Sequence, residues 1–290
     1  MARAYKVVDV FTSRPLMGNP VAVVLDAEGL DTQAMQKIAR WTNLSETTFV
    51  LPPTSSEAHY RLRIFTPQSE LPFAGHPTLG SAFVALEAGL VEPVGGNLLV
   101  QECGVGLVML QVQTTDTGRQ VSFRLPPAKI TPLIHSDVAE LEGILGQAVI
   151  KSATPSIVNV GAAWVVAQTP SVESLLALSP DFARSVQFER RLGVTGLSVF
   201  ARYDGGDKAI EVRSFAPSCG VNEDPVCGSG NGSIAVFLLE SGLLAGIGES
   251  YQAGQGRCVG RDGSVFVRVD SNGILVGGSC VTCVEGTFRL

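Results

Sequence analysis

Residues 63–90 read RIFTPQSELPFAGHPTLGSAFVALEAGL, and residues 213–243 read RSFAPSCGVNEDPVCGSGNGSIAVFLLESGL. Each stretch opens on Arg-x-Phe-x-Pro (Arg63, Phe65, Pro67; Arg213, Phe215, Pro217), crosses a polar loop and enters a helix that starts with glycine. At an offset of 153 the helices coincide at start, face and stop: Gly75 with Gly228, Ala82 with Ala235, Leu86 with Leu239, Glu87 with Glu240, Gly89 with Gly242, Leu90 with Leu243. Between start and stop each helix carries a single charge, Glu87 or Glu240. A helix apolar nearly all round must be enclosed by other structure. The pattern therefore predicts two similar lobes, each a barrel-like, mostly antiparallel sheet folded around its own central helix: an α/β (α+β) protein.

The length of 290 residues suits two domains, 1–126 and 127–290, with Pro126-Pro127 at the crossing. Hydrophobic residues make up 45% and charged residues 17%, the balance of a compact globular chain. A net charge of −6 without any Lys/Arg-rich run argues against nucleic acid and anionic lipid as partners. The opening MARAYKVVDVF is too charged for a signal-peptide core, and no apolar run approaches a membrane span. The expected location is the cytoplasm, where six cysteines (103, 219, 227, 258, 280, 283) remain reduced.

Local signals fill in the first lobe. Tyr5 to Phe11 and Val21 to Leu25 read as strands around the Gly18-Asn19-Pro20 turn. Asp31 caps a helix that stops near Asn43. Thr47 to Leu51 and Tyr60 to Phe65 follow as strands, then further strands at 98–100, 106–112 and 121–125. The second lobe repeats the order with Ile157 to Ala167, a helix from Asp181 to Leu192, strands Leu197 to Arg202 and Ala209 to Phe215, and a tail from Val259 of short antiparallel strands. This order holds no parallel βαβ run with an acidic ribose ligand, so Gly228-Ser229-Gly230-Asn231-Gly232 is a weak dinucleotide fingerprint. Cys280-x-x-Cys283 has no second pair and reads as two buried small hydrophobes rather than a metal site.

Both central helices start with glycine-containing loops, and helix N-termini offer unpaired N–H groups and the positive end of the dipole. One such start would merely permit a tight turn. Two in repeat register favour an anion site in the cleft between lobes, most naturally for a carboxylate. Glu46, in Asn43-Leu44-Ser45-Glu46-Thr47-Thr48, stands where a helix meets a strand with no basic neighbour in sequence. Alone it is an ordinary solvated acid; partly desolvated, it gains a raised pKa suited to proton transfer. His76 directly follows Gly75, where the dipole disfavours the imidazolium. Asp224 and Ser229 can cap the second helix, a role compatible with holding substrate there.

Gly18-Asn19-Pro20-Val21-Ala22-Val23-Val24, Asn43-Leu44-Ser45-Glu46-Thr47, the block ending LPFAGHPTLG, and Glu223-Asp224-Pro225 with Gly228-Ser229 together resemble the phenazine-biosynthesis PhzF-like family, within the diaminopimelate epimerase-like fold. The resemblance spans nearly the whole chain. It implies a cofactor-independent, metal-free isomerase, usually a homodimer, that moves a proton on a small carboxylate-bearing substrate. Glu46 matches the family's general acid/base; Gly75, His76, Asp224, Gly228 and Ser229 match the substrate site, and Asn19 lies in a matching motif. The chain departs by reading DPVCGSG where DPVTGSA is common. Cys227 thereby occupies a position that carries a catalytic thiol in related epimerases, where a helix N-terminus lowers the thiol's pKa. Ala74 fills the other thiol position. An amino-acid epimerase using Cys227, or a non-catalytic metabolite-binding protein, are the alternatives.

Overall fold

A computed structural model describes residues 2–115 and 118–289. The chain forms two compact units, one made by the residues up to Arg124 together with those from Gly277 onward, the other by Leu125–Val276. The sequence division at 126/127 thus needs correction in the tail, where the last strand returns to the first unit.

The elements of the first unit are β1 (Ala2–Val10), β2 (Asn19–Val24), α1 (Thr32–Thr42), β3 (Thr47–Leu51), β4 (Tyr60–Phe65), β5 (Glu70–Leu71), α2 (Gly75–Glu87), β6 (Leu98–Cys103), β7 (Gly106–Thr115) and β8 (Gly118–Arg124). The second contains β9 (Lys129–Pro132), α3 (His135–Leu145), β10 (Ser156–Asn159), β11 (Ala163–Gln168), α4 (Val172–Leu176), α5 (Phe182–Leu192), β12 (Gly196–Arg202), β13 (Ile210–Ala216), β14 (Val221–Asp224), α6 (Gly228–Glu240), β15 (Ser250–Gln255), β16 (Gly263–Asp270) and the start of β17 (Gly273–Arg289).

The duplication is explicit in the pairing. Along β1-β2-β3-β4-β6-β7 the contacts run antiparallel, parallel, antiparallel, parallel, antiparallel. Along β10-β11-β12-β13-β15-β16 they repeat that order. In unit 1, β8 and the end of β17 close the ring back to β1, giving an eight-strand barrel. The sheet is mostly antiparallel as expected, but one expectation fails. α1 joins the parallel pair β2/β3, and α4 with α5 joins β11/β12, so parallel crossovers do occur. Ile157 to Ala167 falls on two strands, β10 and β11, around a turn.

α2 and α6 are buried along nearly their whole length, as their composition requires. The surface helices carry the signals read for them: Asp31 accepts from Ala34 N at 2.8 Å, Asn43 takes the left-handed conformation (φ 55°), and Asp181 accepts from Arg184 N at 3.1 Å. The Arg-x-Phe motif also acquires a cause. Arg63 forks onto Glu70 of β5, with both bonds 2.7 Å, and lies 5.1 Å above the Phe65 ring. Arg213 forks onto Glu223 of β14 at 3.0 and 2.8 Å and lies 4.9 Å above Phe215. Each arginine ties the strand before a central helix to the short strand that leads into it. In the tail, Cys280 is buried but Cys283 is only half-buried, since the strand emerges from the core beyond Cys280; a bulge in the β1/β17 register falls at Cys283.

The fit of α2 is tight at Gly80. A β-carbon there would come within 2.5 Å of Val21 Cγ1 and 2.9 Å of Val10 Cγ2, both on stiff β-branched side chains. Alanine adds at most about 1 kcal/mol of helix propensity, while overpacking costs about 1–3 kcal/mol. Gly80→Ala is expected to lower stability by about 1 kcal/mol in urea unfolding; a stabilised variant would contradict this seating.

Candidate active site

Glu46 sits on the short connection between the left-handed stop of α1 at Asn43 and the first residue of β3. The corner is held on several sides. Ala22 N donates to the Glu46 carbonyl at 3.3 Å, the hydroxyls of Thr42 and Thr47 meet at 2.7 Å, and Thr48 bonds Ser81 of α2 at 2.8 Å. β3 is thereby fastened to α2, and the Glu46 Oε2 atom lies 3.3 Å from Nε2 of His76, in the first turn of that helix. Both side chains are largely withdrawn from solvent, 16% and 9% exposed.

Burial pushes the Glu46 carboxyl up to about 7, against a weaker opposing pull from the Ser45 hydroxyl. At neutral pH the group is therefore populated in both protonation states. The N-cap of α2 is Ala74, which has no side-chain oxygen, and no side chain caps the helix. The third helical residue, Pro77, has no N–H to offer. Gly75 is closely packed: a β-carbon there would come to 3.0 Å from the Phe123 ring, which would have to yield slightly. Asn19 is buried at the head of β2 opposite Val10, and Gly18 before it passes so close to the Val10 carbonyl that no β-carbon fits.

In unit 2, Asp224, Cys227, Gly228 and Ser229 fall in one loop and the helical turn that follows it. The cap of α6 is neither Asp224 nor Ser229, as expected from sequence, but Cys227, whose sulfur accepts from Gly230 N at 3.3 Å. Asp224 instead turns the loop, accepting from Val226 N at 3.1 Å. The Ser229 oxygen accepts from the Trp164 indole at 3.0 Å, and the same hydroxyl lies 3.6 Å from the Cys227 sulfur. The expected lowering of the Cys227 pKa is reversed. Desolvation dominates, the nearby Asp224 charge adds to it, and the thiol rises well above its ordinary value.

Trp164 and Gln255 escaped the sequence reading. Trp164 lies in an unremarkable strand 65 positions from Ser229. Gln255 had a usable signal, discussed below. Among the described residues no group of His, Cys, Asp and Glu is arranged to hold a metal ion, and no helix is long and apolar enough to cross a membrane. Two surface grooves of unit 1, one beside α1 around Gln36 and Arg40 and one around Arg61 and Cys103, contain neither Glu46 nor His76.

The sequence pattern of the family described as phenazine biosynthesis-like protein, PhzC-PhzF, matches residues 8–286. Antisense-enhancing sequence 1 of Schizosaccharomyces pombe is 41% identical over 98% of this chain and 97% of that protein. Trans-2,3-dihydro-3-hydroxyanthranilate isomerase of Pseudomonas chlororaphis is 35% identical over 99% of each. The crystal structure of a phenazine biosynthesis protein of the PhzF family from Bacillus anthracis superposes over 100% of both chains with a TM-score of 0.87; at 24% identity this likeness speaks for the fold alone. The chain belongs to the PhzC-PhzF family. Its architecture is the epimerase-like one read from the sequence, and it is a PhzF-like isomerase.

A carboxyl whose pKa rises from 4.5 to about 7 on folding stabilises the fold relative to its ionised form only while it is protonated. That contribution is complete below the unfolded value and is lost as pH climbs through the folded one, a difference on the order of 3 kcal/mol. Glu46→Gln, which never ionises, is expected to be more stable than the parent above about pH 7, with the gap closing toward about pH 4.5. Thermal unfolding across that range reads the difference; a constant gap would place Glu46 in a solvated environment.

Proposed function

We propose that this isomerase works without a cofactor and that Glu46 is its general acid/base. The observation that carries the reading is the desolvated carboxyl, held near neutrality and set 3.3 Å from His76 at the start of an uncapped helix. The ionised form takes a proton from a carbon of the substrate, and the electron pair left behind delocalises into the substrate's conjugated carboxylate system. The carboxyl so formed returns the proton to another carbon. No redox change accompanies the step. Because one group performs both halves, a pKa near the working pH serves removal and return alike.

The proposed substrate is a small carboxylic acid, cyclic or amino acid-like, carrying amine or hydroxyl groups. The named substrate of the Pseudomonas chlororaphis relative has all three functions and is the first compound to try. Gly75 and the first turn of α2 suit a carboxylate through N–H groups and the helix dipole. Gly228 and Ser229 are assigned the same task on α6, at the start of the helix. His76 and Asp224 are assigned to amine or hydroxyl groups. A cytoplasmic homodimer is the accompanying expectation. The Cys227 epimerase reading finds no support in a buried thiol engaged as a helix cap.

In heavy water with trans-2,3-dihydro-3-hydroxyanthranilate, Glu46→Gln is expected to lose solvent-deuterium incorporation by at least about 100–10,000-fold. For the parent, kcat/KM should rise with pH to a plateau, with an apparent pKa of about 7 in the free enzyme. Undiminished exchange in the variant would remove Glu46 from the chemistry. A limb far above neutrality would point to a thiol instead.

A further inference from the structure

Beneath the first turn of each central helix lies a fully buried glutamine. In unit 1 it is Gln101 of β6, whose Nε2 donates to Thr78 Oγ1 at 3.1 Å and whose Oε1 accepts from the Tyr60 hydroxyl at 2.9 Å. In unit 2 it is Gln255, the last residue of β15. Its Oε1 accepts from Asn231 Nδ2 at 2.8 Å and from Cys227 N at 3.1 Å, and its Nε2 donates to the Asp224 carbonyl at 2.9 Å.

The two arrangements are copies. Thr78 and Asn231 are each the fourth residue of their helix, at the same offset of 153 that relates Gly75 to Gly228. The glutamines stand at an offset of 154, on strands that each run parallel to the one bearing Arg-x-Phe. The duplication has kept not only the helix but also an amide fixing its start. In unit 2 this amide does more. Asp224 O and Cys227 N are the two ends of the Asp224-Pro225-Val226-Cys227 loop, and one side chain binds both.

We propose that Gln255 is a positioning residue for substrate binding: it staples the ends of that loop and so sets where Asp224, Gly228 and Ser229 present their groups. Fully buried, it does not itself touch substrate. The inference rests on the assignment of Asp224 and Ser229 to substrate made above, and the test separates the two.

Gln255→Leu removes all three bonds. Gln255→Glu keeps an acceptor toward Cys227 and Asn231 but turns an oxygen toward the Asp224 carbonyl. That oxygen repels when ionised and, when protonated, donates and remakes the staple. The full-length variants are compared with the parent at each pH by hydrogen exchange of residues 224–231 and by calorimetric titration with 3-hydroxyanthranilate, an aromatic analogue of the relative's substrate. In Gln255→Leu, exchange in this segment should quicken by at least about tenfold at every pH while the first turn of α2, held by Gln101, is unchanged. In Gln255→Glu, protection and affinity should return as pH falls.

Parental protection in Gln255→Leu, or loss spread evenly over unit 2, overturns the proposal. So does a Gln255→Glu without pH-dependent recovery, which decides alone if the leucine variant does not fold. Asp224→Ala and Ser229→Ala supply the control. If they leave titration unchanged while exchange responds to Gln255, positioning of the loop stands and the substrate assignment falls. If they weaken binding at least about tenfold and the Gln255 variants bind like the parent, positioning falls instead.

Discussion

A helix with no polar face can persist in water only if something encloses it, and this constraint governs each half of the protein. α2 and α6 bury residues on every side. A sheet covering one face would leave the other face wet, so the strands curl round the helix until, in unit 1, the ring closes. Enclosure along the helix leaves its start as the place where donors and dipole can meet a ligand. The position of the candidate chemistry is thus a by-product of solving a solvation problem.

The two copies then divide the labour. Ala74 at the head of α2 supplies no cap, and Glu46 is brought beside that end by β3, whose counterpart β12 follows Thr195 rather than an acid. At the head of α6, Cys227 caps through sulfur and its thiol is driven away from ionisation. Desolvation acts on both groups in the same sense, yet with opposite consequences. It moves a carboxyl toward neutrality, where it exchanges protons readily, and moves a thiol out of that range. The acid that results costs stability when ionised.

Much of this could be read from the chain because its signals are local. Helix apolarity, the caps at Asp31, Asn43 and Asp181, and the paired Arg-x-Phe motifs each state their own structure. α3 went unread because Ile134 provides no capping side chain and Gly143 interrupts the helix-forming run. The parallel partners of β2 and β11 were illegible since period-two alternation says nothing about which strand lies alongside. Glu46 stands out by its place between helix and strand, but its pKa depends on burial that only the fold supplies, and the link from Trp164 to Ser229 exists only in three dimensions.

The return of β17 to the first unit carries a consequence for how the protein comes into being. Its residues from Cys280 to Arg289 pair along the whole of β1, which precedes every other described strand in this sequence. A ribosome delivers residues 2–124, then all of Leu125–Val276, and only afterwards the strand that closes the first ring. The usual vectorial order, in which the leading domain folds before the next emerges, is therefore inverted here. The second unit is complete in sequence while the first still exposes an open edge, with β1 awaiting its final neighbour. Closure of that edge therefore waits on a segment that follows the whole of the second unit in the chain.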